Sequence, residues 1–299
     1  MFVKAINIAA QFTRPIRSIG RNYKSNLIQP GAATLFLVNP DGWALTCRHV
    51  TEQIIGADQL LHKRQAFTDE LTERRGEAKE KVLLRELERK HGYSKNALFE
   101  LRNLFCDCVE GPLEFEIRAH KTLDVALIHF RRFTKLGCGV FPVFASDDDA
   151  LKQGKFLCRL GFPFPEFTNY AYDSAADSIH WTDTGRQDSP RFPIEGMVTR
   201  HLVDDSHRVV GFELSTPGLR GQSGGPAFDT EGVVWGMQAA KNHLDLDFDV
   251  DQEVVRKGQK RRVSDSAFLH VGRCLHVGIL KEFMREHEVA FQEEHTRWA

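Results

Sequence analysis

Short segments rich in β-branched and aromatic residues recur along most of the chain and limit its fold more than any other feature. Glycine, proline or polar residues end each segment, as is typical of strands. The clearest are ATLFLV, LEFEIRAH, LDVALIHF, KFLCRLG, EGMVTRHL, RVVGFELS, GVVWGMQAA and SAFLHVG. Many short strands without regular strand–helix alternation favour antiparallel barrels or a sandwich. The 299 residues fit one large domain or two moderate ones.

One hairpin is predicted near the start of this series. Asn39-Pro40-Asp41-Gly42 joins two apolar runs, and Asp-Gly between such runs is a strong hairpin signal. The second strand of the hairpin leads directly to His49, so we expect this histidine at the tip of a strand.

A block at about residues 57–110 has a different character, because it is dense in leucine and charged residues and poor in β-branched ones. We predict two or three helices here, with breaks at Gly76 and before the candidate N-cap Ser94. A terminal helix is predicted over residues 277–295, with apolar positions at Ile279, Phe283 and Val289. The apolar residues at helical spacing in the block are Leu60, Phe67, Leu71, Leu83, Leu84, Leu87, Leu98, Leu101, Leu104, Phe105 and Cys108.

Charge and cysteine content argue against several function classes. With 40 basic and 41 acidic residues, the total charge predicts neither a nucleic acid nor a membrane partner. The N-terminus does not resemble a signal peptide, and no apolar stretch reaches the length of a membrane span, so we expect a cytoplasmic protein. The six cysteines are expected to be reduced, and the spacing of Cys106 and Cys108 does not match a zinc pair. We expect neither a metal nor a cofactor.

Three local sequences carry the groups that acyl transfer to a serine requires: a nucleophile, a base and an acid that orients the base. His49 follows the hairpin, and Asp124 lies in LDVALIHF, where an acid is costly to bury without a partner. Ser223 lies in GQSGGP, whose glycines permit a tight turn. Such a turn can aim the N–H groups of Gly221 and Ser223 at one point, as an oxyanion hole.

Each motif alone also has a structural interpretation, as a packed histidine, an edge aspartate or an ordinary glycine-rich loop. Taken together they are more specific, because they occur in the order His, Asp, Ser. This order is that of chymotrypsin and differs from those of subtilisin and the α/β-hydrolases. The serine also lacks the GxSxG elbow and the surrounding βαβ units of a lipase or esterase.

On these residues the chain resembles the trypsin-like serine peptidases, closest to their bacterial HtrA-like and stand-alone cytosolic members. TCRHV is similar to the family's motif around the catalytic histidine. LDVALIHF is similar to the strand that carries its aspartate, and TPGLRGQSGGPAFD to its nucleophile loop. Residues 149–163 resemble the opening of the second barrel, and residues 274–283 its closing strand and helix. The resemblance covers about residues 33–283, apart from the helical block.

The resemblance implies a mainly β fold of two antiparallel six-stranded Greek-key barrels. Residues 1–145 would form the first, with the helical insertion at about 57–110, and residues 146–299 the second, with the terminal helix. His49, Asp124 and Ser223 would lie in the cleft as the triad of a serine endopeptidase that hydrolyses a polypeptide substrate. The implied substrate pocket consists of Pro217, Arg220, Gln238, Ala239, Ala240 and Lys241.

One position departs from the family members that mature by cleavage. They carry an aspartate before the serine, which pairs with a freed N-terminus, whereas this chain has Gln222. A neutral amide cannot form that charge-assisted pair, so we expect no activation by N-terminal cleavage.

A loop at residues 245–262 alternates acidic and apolar residues before a basic run. We expect an exposed hairpin with neutralising charges across its strands. Two alternatives are that its acids select basic substrate side chains, or that its basic run is a self-cleavage site. The EF-hand pattern does not fit, because Val250 and Arg256 occupy its glycine and glutamate positions. The acids are Asp245, Asp247, Asp249 and Asp251, and the basic residues are Arg256, Lys257, Lys260, Arg261 and Arg262.

The helical block has two interpretations: a surface decoration, or a regulatory element that binds a protein partner and repositions His49. Two rival functions also remain at this point. One is a catalytically silent protease fold used for binding, and the other is a serine esterase or transferase.

Overall fold

The computed structural model describes residues 1–76, 79–256 and 258–294. Its strands form two large sheets and two small ribbons, and the predicted mainly β class is confirmed. The residue ranges of the two predicted domains stay a prediction.

The first large sheet has six antiparallel strands in the order β4-β1-β2-β3-β7-β6. The edge strands β4 and β6 approach each other through Phe105 and Phe115, whose ring centroids are 5.0 Å apart. This curl encloses the apolar side chains of the inner face. The strands are β1 (Thr13–Asn22), β2 (Gln29–Leu37), β3 (Trp43–Thr46), β4 (Leu98–Phe105), β6 (Glu114–Ala119) and β7 (Ala126–Arg131).

The second large sheet contains a closed ring of six antiparallel strands, β15-β10-β13-β14-β17-β16, because β16 also pairs with β15. The short strands β9 and β18 extend it by parallel pairing, so the sheet has eight strands where six were expected. Its strands are β9 (Val143–Phe144), β10 (Phe156–Gly161), β13 (Phe192–Val203), β14 (Val209–Leu214), β15 (Pro226–Phe228), β16 (Val233–Arg256), β17 (Gln259–His276) and β18 (Gln292–Glu293).

Smaller elements flank the two sheets. Helix α1 (Val3–Phe12), which the sequence analysis did not predict, buries Ala5, Ala9 and Phe12. The predicted terminal helix is present as α4 (Val277–Glu286) but is shorter than expected, because Val289 lies beyond its end and Gln292–Glu293 form a strand. The two ribbons pair β5 (Val109–Glu110) with β8 (Lys135–Leu136) and β11 (Tyr170–Asp173) with β12 (Ser178–Trp181), and a 3₁₀ turn covers Asp148–Ala150.

The helical block contains α2 (Arg48–Glu73) and α3 (Glu80–Lys90). The prediction of helix at Leu98–Phe105 is wrong, because these residues form β4 and pair with β1. Ser94 is accordingly not a helix N-cap. The block has a small core of its own, made by residues of α2, α3 and β4 and of the loops after β1 and α3: Tyr23, Phe67, Leu83, Leu87, Tyr93 and Phe99.

The predicted hairpin at residues 245–262 is present as the paired outer parts of β16 and β17. Oppositely charged side chains pair across it, with Arg262 Nη2 at 2.6 Å from Asp251 Oδ2 and Lys260 Nζ at 2.7 Å from Glu253 Oε1. Lys257 of the basic run lies outside the described residues. Of the helices described, none is both long and apolar enough to cross a membrane.

Candidate active site

His49 lies at the start of α2. Strand β3 ends at Thr46, Cys47 is the helix N-cap, and Arg48 is the first helical residue. His49 is therefore in the first helical turn. The prediction that it lies at the tip of a strand is wrong. Val50 and Ile54 are buried in the main core, and their packing fixes the start of the helix, where His49 lies.

Asp124 holds His49 by two contacts. Its Oδ2 is 2.8 Å from Nδ1 of the imidazole, and its Oδ1 accepts a hydrogen bond of 3.0 Å from the His49 backbone N–H. The aspartate lies in the loop just before β7, not inside the strand as predicted, and its side chain is 31% exposed. This pairing places the ring proton on Nδ1 and leaves Nε2 as an acceptor.

The Ser223 loop makes a tight turn that requires its glycines. Gly221 and Gly224 have φ values of +98° and +88°. A Cβ atom on Gly224 would lie 2.0 Å from the Thr34 carbonyl oxygen, and one on Gly221 would lie 2.7 Å from that of Phe162. Larger residues would therefore be strained and would also clash. In the described part of the chain, no hydrogen bond uses the N–H of Gly221 or of Ser223.

Two side chains hold this loop in place. Gln222 is buried; its Oε1 accepts from the Leu219 N–H at 3.2 Å and its Nε2 donates to the Phe192 carbonyl at 3.1 Å. Thr34 of β2 reaches across from the first sheet, and its hydroxyl donates to the Gly221 carbonyl at 2.7 Å. The Thr34 N–H also donates to the Ser223 carbonyl at 3.0 Å. Sequence reasoning missed Thr34, which is an ordinary strand residue in the pattern.

The carbonyl oxygen of Gln238 contacts both Cys47, the N-cap of the helix that carries His49, and the loop that carries Ser223. This oxygen accepts from Gly224 N–H at 2.8 Å and lies 3.4 Å from Cys47 Sγ. The Ser223 hydroxyl contacts the Ala239 carbonyl at 3.4 Å, and the described residues include no hydrogen bond between Ser223 and His49. In enzymes that use a serine and a histidine, this hydrogen bond is often long or poorly aligned without substrate and tightens in the complex.

Cys47, His49 and Asp124 also have potential metal-ligand atoms within 4.8 Å of one another. Cys47 is fully buried, and this burial, followed by the nearby Asp124 charge, raises the pKa of its thiol well above its usual value. Metal binding needs the thiolate, so this environment opposes coordination.

The six predicted pocket residues lie on two segments, one before Ser223 and one after it. Arg220, Ala240 and Lys241 are exposed, whereas Gln238 and Ala239 are buried in β16. The two segments are connected by a residue that the sequence analysis did not select, Arg159 of β10. A charged residue inside the apolar run KFLCRLG is the signal that would have indicated it.

Arg159 is fully buried behind these segments. Its Nη1 donates to Gln238 Oε1 at 2.7 Å, and its Nη2 donates to the Thr216 hydroxyl at 2.6 Å and to the Thr216 and Pro217 carbonyls at 3.1 and 3.2 Å. All of these acceptors are neutral. Desolvation lowers the pKa of Arg159, although an arginine keeps its charge in proteins.

The trypsin-like peptidase domain family matches residues 33–237. No curated protein sequence matches the chain. Among solved structures, the chain is similar to the HtrA-type protease AlgW with a decapeptide, at 11% identity and a TM-score of 0.49, covering 96% of this chain and 67% of that one. It is also similar to the active form of the Rv3671c protease from M. tuberculosis, at 13% identity and a TM-score of 0.47, covering 97% and 87%. Since the family match spans more than half of its residues, the chain belongs to the family of trypsin-like peptidase domains.

Proposed function

We propose that this protein is a serine endopeptidase whose triad is His49, Asp124 and Ser223. The observation that carries the proposal is the contact of Asp124 with both the ring and the backbone of His49, together with a tight serine loop whose Gly221 and Ser223 N–H groups make no hydrogen bond within the described residues. An acid that fixes the imidazole tautomer and donors that await a developing oxyanion are what acyl transfer requires.

In the proposed reaction, the Ser223 hydroxyl leaves the Ala239 carbonyl and turns toward His49. Its oxygen attacks the substrate carbonyl carbon while Nε2 of His49 takes its proton. The carbonyl oxygen becomes an oxyanion that accepts hydrogen bonds from the N–H groups of Gly221 and Ser223. Collapse breaks the peptide bond, and the imidazolium protonates the leaving amine. Water then repeats the sequence on the acyl-enzyme and releases the acid product.

A fluorophosphonate probe tests the nucleophile and the base together. We expect the wild-type protein to be labelled, and Ser223→Ala and His49→Ala to lose labelling, because loss of either group in such a triad costs roughly 10⁶-fold in rate. Ser206→Ala, in an exposed turn, and His62→Ala, an exposed residue of the same helix as His49, are the matched controls. Labelling that persists in Ser223→Ala, or that is absent from the folded wild type, contradicts the proposal and favours a silent binding module.

A peptide library then separates endopeptidase from esterase activity. We expect cleavage of internal peptide bonds, lost in Ser223→Ala and retained in Ser206→Ala. Hydrolysis of esters alone would favour the esterase.

We further propose a cytoplasmic location and regulation by a protein partner bound to α2 and α3. The support for the latter is that α2, whose second residue is His49, runs 26 residues into the helical block.

A further inference from the structure

Arg159 is a buried cation without a buried anion. Its side chain has no solvent exposure, and the described residues provide it with no ion pair. Four hydrogen bonds from Nη1 and Nη2 go to neutral acceptors, and its buried Nε has no hydrogen-bond partner in the part of the chain that the structure describes. Burial of an unpaired charge is costly, so a cation kept in this form has unmet capacity for an anion.

The guanidinium lies between the two segments that flank the proposed nucleophile. Thr216 and Pro217 begin the loop that leads to Ser223, and Gln238 directly precedes Ala239, whose carbonyl is 3.4 Å from the serine hydroxyl. Gly272 of β17 contacts the guanidinium from a third side, where a Cβ atom would lie 1.7 Å from Nη1 of Arg159. Only a residue without a side chain leaves this space to the guanidinium.

The side-chain amide of Gln238 accepts a hydrogen bond from Arg159 on the side of the guanidinium that faces the Ser223 loop. Its Oε1 accepts from Nη1 of Arg159, and its Nε2 donates to the Ala240 carbonyl at 2.5 Å. A carboxylate that replaced this amide oxygen would bring a full negative charge and two acceptor oxygens to a planar donor group. The exchange therefore converts a neutral hydrogen bond into a charge-assisted one.

Three cationic side chains lie at the surface of the same region. Arg220 is exposed in the serine loop, and Lys241 and Arg273 are exposed on β16 and β17 beside Gly272. In the described part of the chain, none of these three has an ion-pair partner. The nearby carboxylate of Glu213 is already bound by Arg200 and Asn242. These three cations favour an anion at this surface, which we take as the entrance toward Arg159, although the exposed Glu195 on the neighbouring strand β13 has the opposite charge.

Resting on the proposed function, we propose that Arg159 is the specificity-determining residue of this peptidase and selects substrates with aspartate or glutamate on the acyl side of the scissile bond. The substrate carboxylate displaces the Gln238 amide and binds the guanidinium while its own carbonyl carbon faces Ser223. This inference opposes the alternative that the acids of residues 245–251 select basic side chains. Those acids lie on the outer hairpin, where Asp251 is paired with Arg262.

The direct test compares peptides that differ only in the residue before the scissile bond: Glu, Asp, Gln, Leu or Lys. We expect kcat/KM for Glu or Asp to exceed that for Gln by roughly 10- to 100-fold, the range for hydrogen bonds to charged groups. Cleavage after Lys should be undetectable. Equal cleavage after Gln, Leu or Lys overturns the inference.

Two variants assign any preference to the buried cation. Arg159→Met should abolish the preference for Glu over Gln, whereas Arg159→Lys, which keeps the charge but not the fork, should retain part of it. Arg220→Gln removes an exposed cation of the entrance and should leave most of the preference. Loss of the preference in Arg220→Gln together with its retention in Arg159→Met overturns the assignment to Arg159.

Two measurements on the wild type do not depend on whether a variant folds. A buried pair is screened little, so raising NaCl from about 0.05 to 0.5 M should leave the preference for Glu over Gln nearly constant. Peptide phosphonate probes with Glu or Leu at the recognised position separate the two hypotheses. Labelling by neither probe contradicts the proposed function itself, whereas faster labelling by the Leu probe contradicts only the acidic specificity.

Discussion

Arg21 in the first sheet and Arg159 in the second are both buried, and their charges are balanced in opposite ways. Arg21 Nε lies 3.1 Å from Glu100 Oε2, and its Nη2 lies 2.9 Å from Asp177 Oδ1. Among the described residues, Arg159 donates only to amide, hydroxyl and carbonyl oxygens. The first cation is neutralised by the chain, so its role is structural. The second is solvated by dipoles alone, which leaves its charge available to a ligand.

Glu100 is the centre of the neutralised cluster. It also contacts Arg64 of α2 and Arg102, at 3.1 and 3.0 Å, and it accepts from the Ser178 hydroxyl at 2.8 Å. One buried carboxylate thus connects β4 to the helical block and to the β11–β12 ribbon. Among the described residues, no carboxylate pairs with Arg159 in the way that Glu100 pairs with Arg21.

The largest expected effect is that of Glu100→Gln. The substitution leaves the buried Arg21 without its main counter-charge, and we expect a loss of about 3–5 kcal/mol in the free energy of unfolding. Urea denaturation measures it. A loss below about 1 kcal/mol would show that the cluster is not structural and would remove the distinction between the two arginines.

Arg159→Met should destabilise less, by under about 2 kcal/mol. It removes donors from four hydrogen bonds, but it also removes an unpaired buried charge, and the two effects oppose each other. The same urea experiment compares it with Glu100→Gln. A loss equal to that of Glu100→Gln would indicate that Arg159 is as structural as Arg21.

Acidification distinguishes the two clusters in the wild type. Burial alone would raise the pKa of Glu100, but hydrogen bonds from Ser178, the Ile179 N–H and Arg21 bring the pKa below its usual value. A carboxyl with a lowered folded-state pKa stabilises the fold above its unfolded pKa, near 4.3, and this contribution is lost as pH falls through the folded value. We expect stability to fall more steeply below about pH 4.5 in the wild type than in Glu100→Gln. Parallel curves would contradict this assignment.

The smallest effect is expected at an exposed ion pair. Glu110 Oε1 lies 2.7 Å from Lys135 Nζ, and both side chains are more than 60% exposed. Glu110→Gln should change the free energy of unfolding by less than about 1 kcal/mol, since solvent screens such pairs. It serves as the matched Glu→Gln control for the buried cluster. A larger loss would mean that the substitution itself, rather than burial, accounts for the effect at Glu100.

The sequence predicted the local parts of this molecule well and the non-local parts poorly. The hairpin at residues 39–42, the glycine loop around Ser223 and the terminal helix depend on neighbouring residues, and all three are present. Strand β4 was misassigned because the spacing of Leu98, Leu101 and Leu104 also fits a helix. Pairing with β1, some eighty residues earlier, decides it, and such tertiary context overrides local preference.

The candidate site divides in the same way. His49, Asp124 and Ser223 were selectable because each lies in a recognisable short motif, and their chain order restricts the fold. Thr34 and Arg159 were not, because their partners come from remote segments. Arg159 meets residues 216–217, 238 and 272, and no spacing in the sequence indicates that these converge.

Helix α2 gives the proposed catalytic base a mechanical property. At 1.5 Å per residue, its 26 residues form a rod of about 40 Å, with His49 near one end and the surface of the helical block at the other. Val50 and Ile54 anchor the histidine end in the main core, and Phe67 packs in the core of the helical block. If α2 tilted by about 5° about its histidine end, the far end would move by roughly 3–4 Å but the histidine by only a small fraction of an ångström. Under the proposed regulation by a partner, α2 would convert a coarse displacement at the surface of the helical block into a fine adjustment of the imidazole.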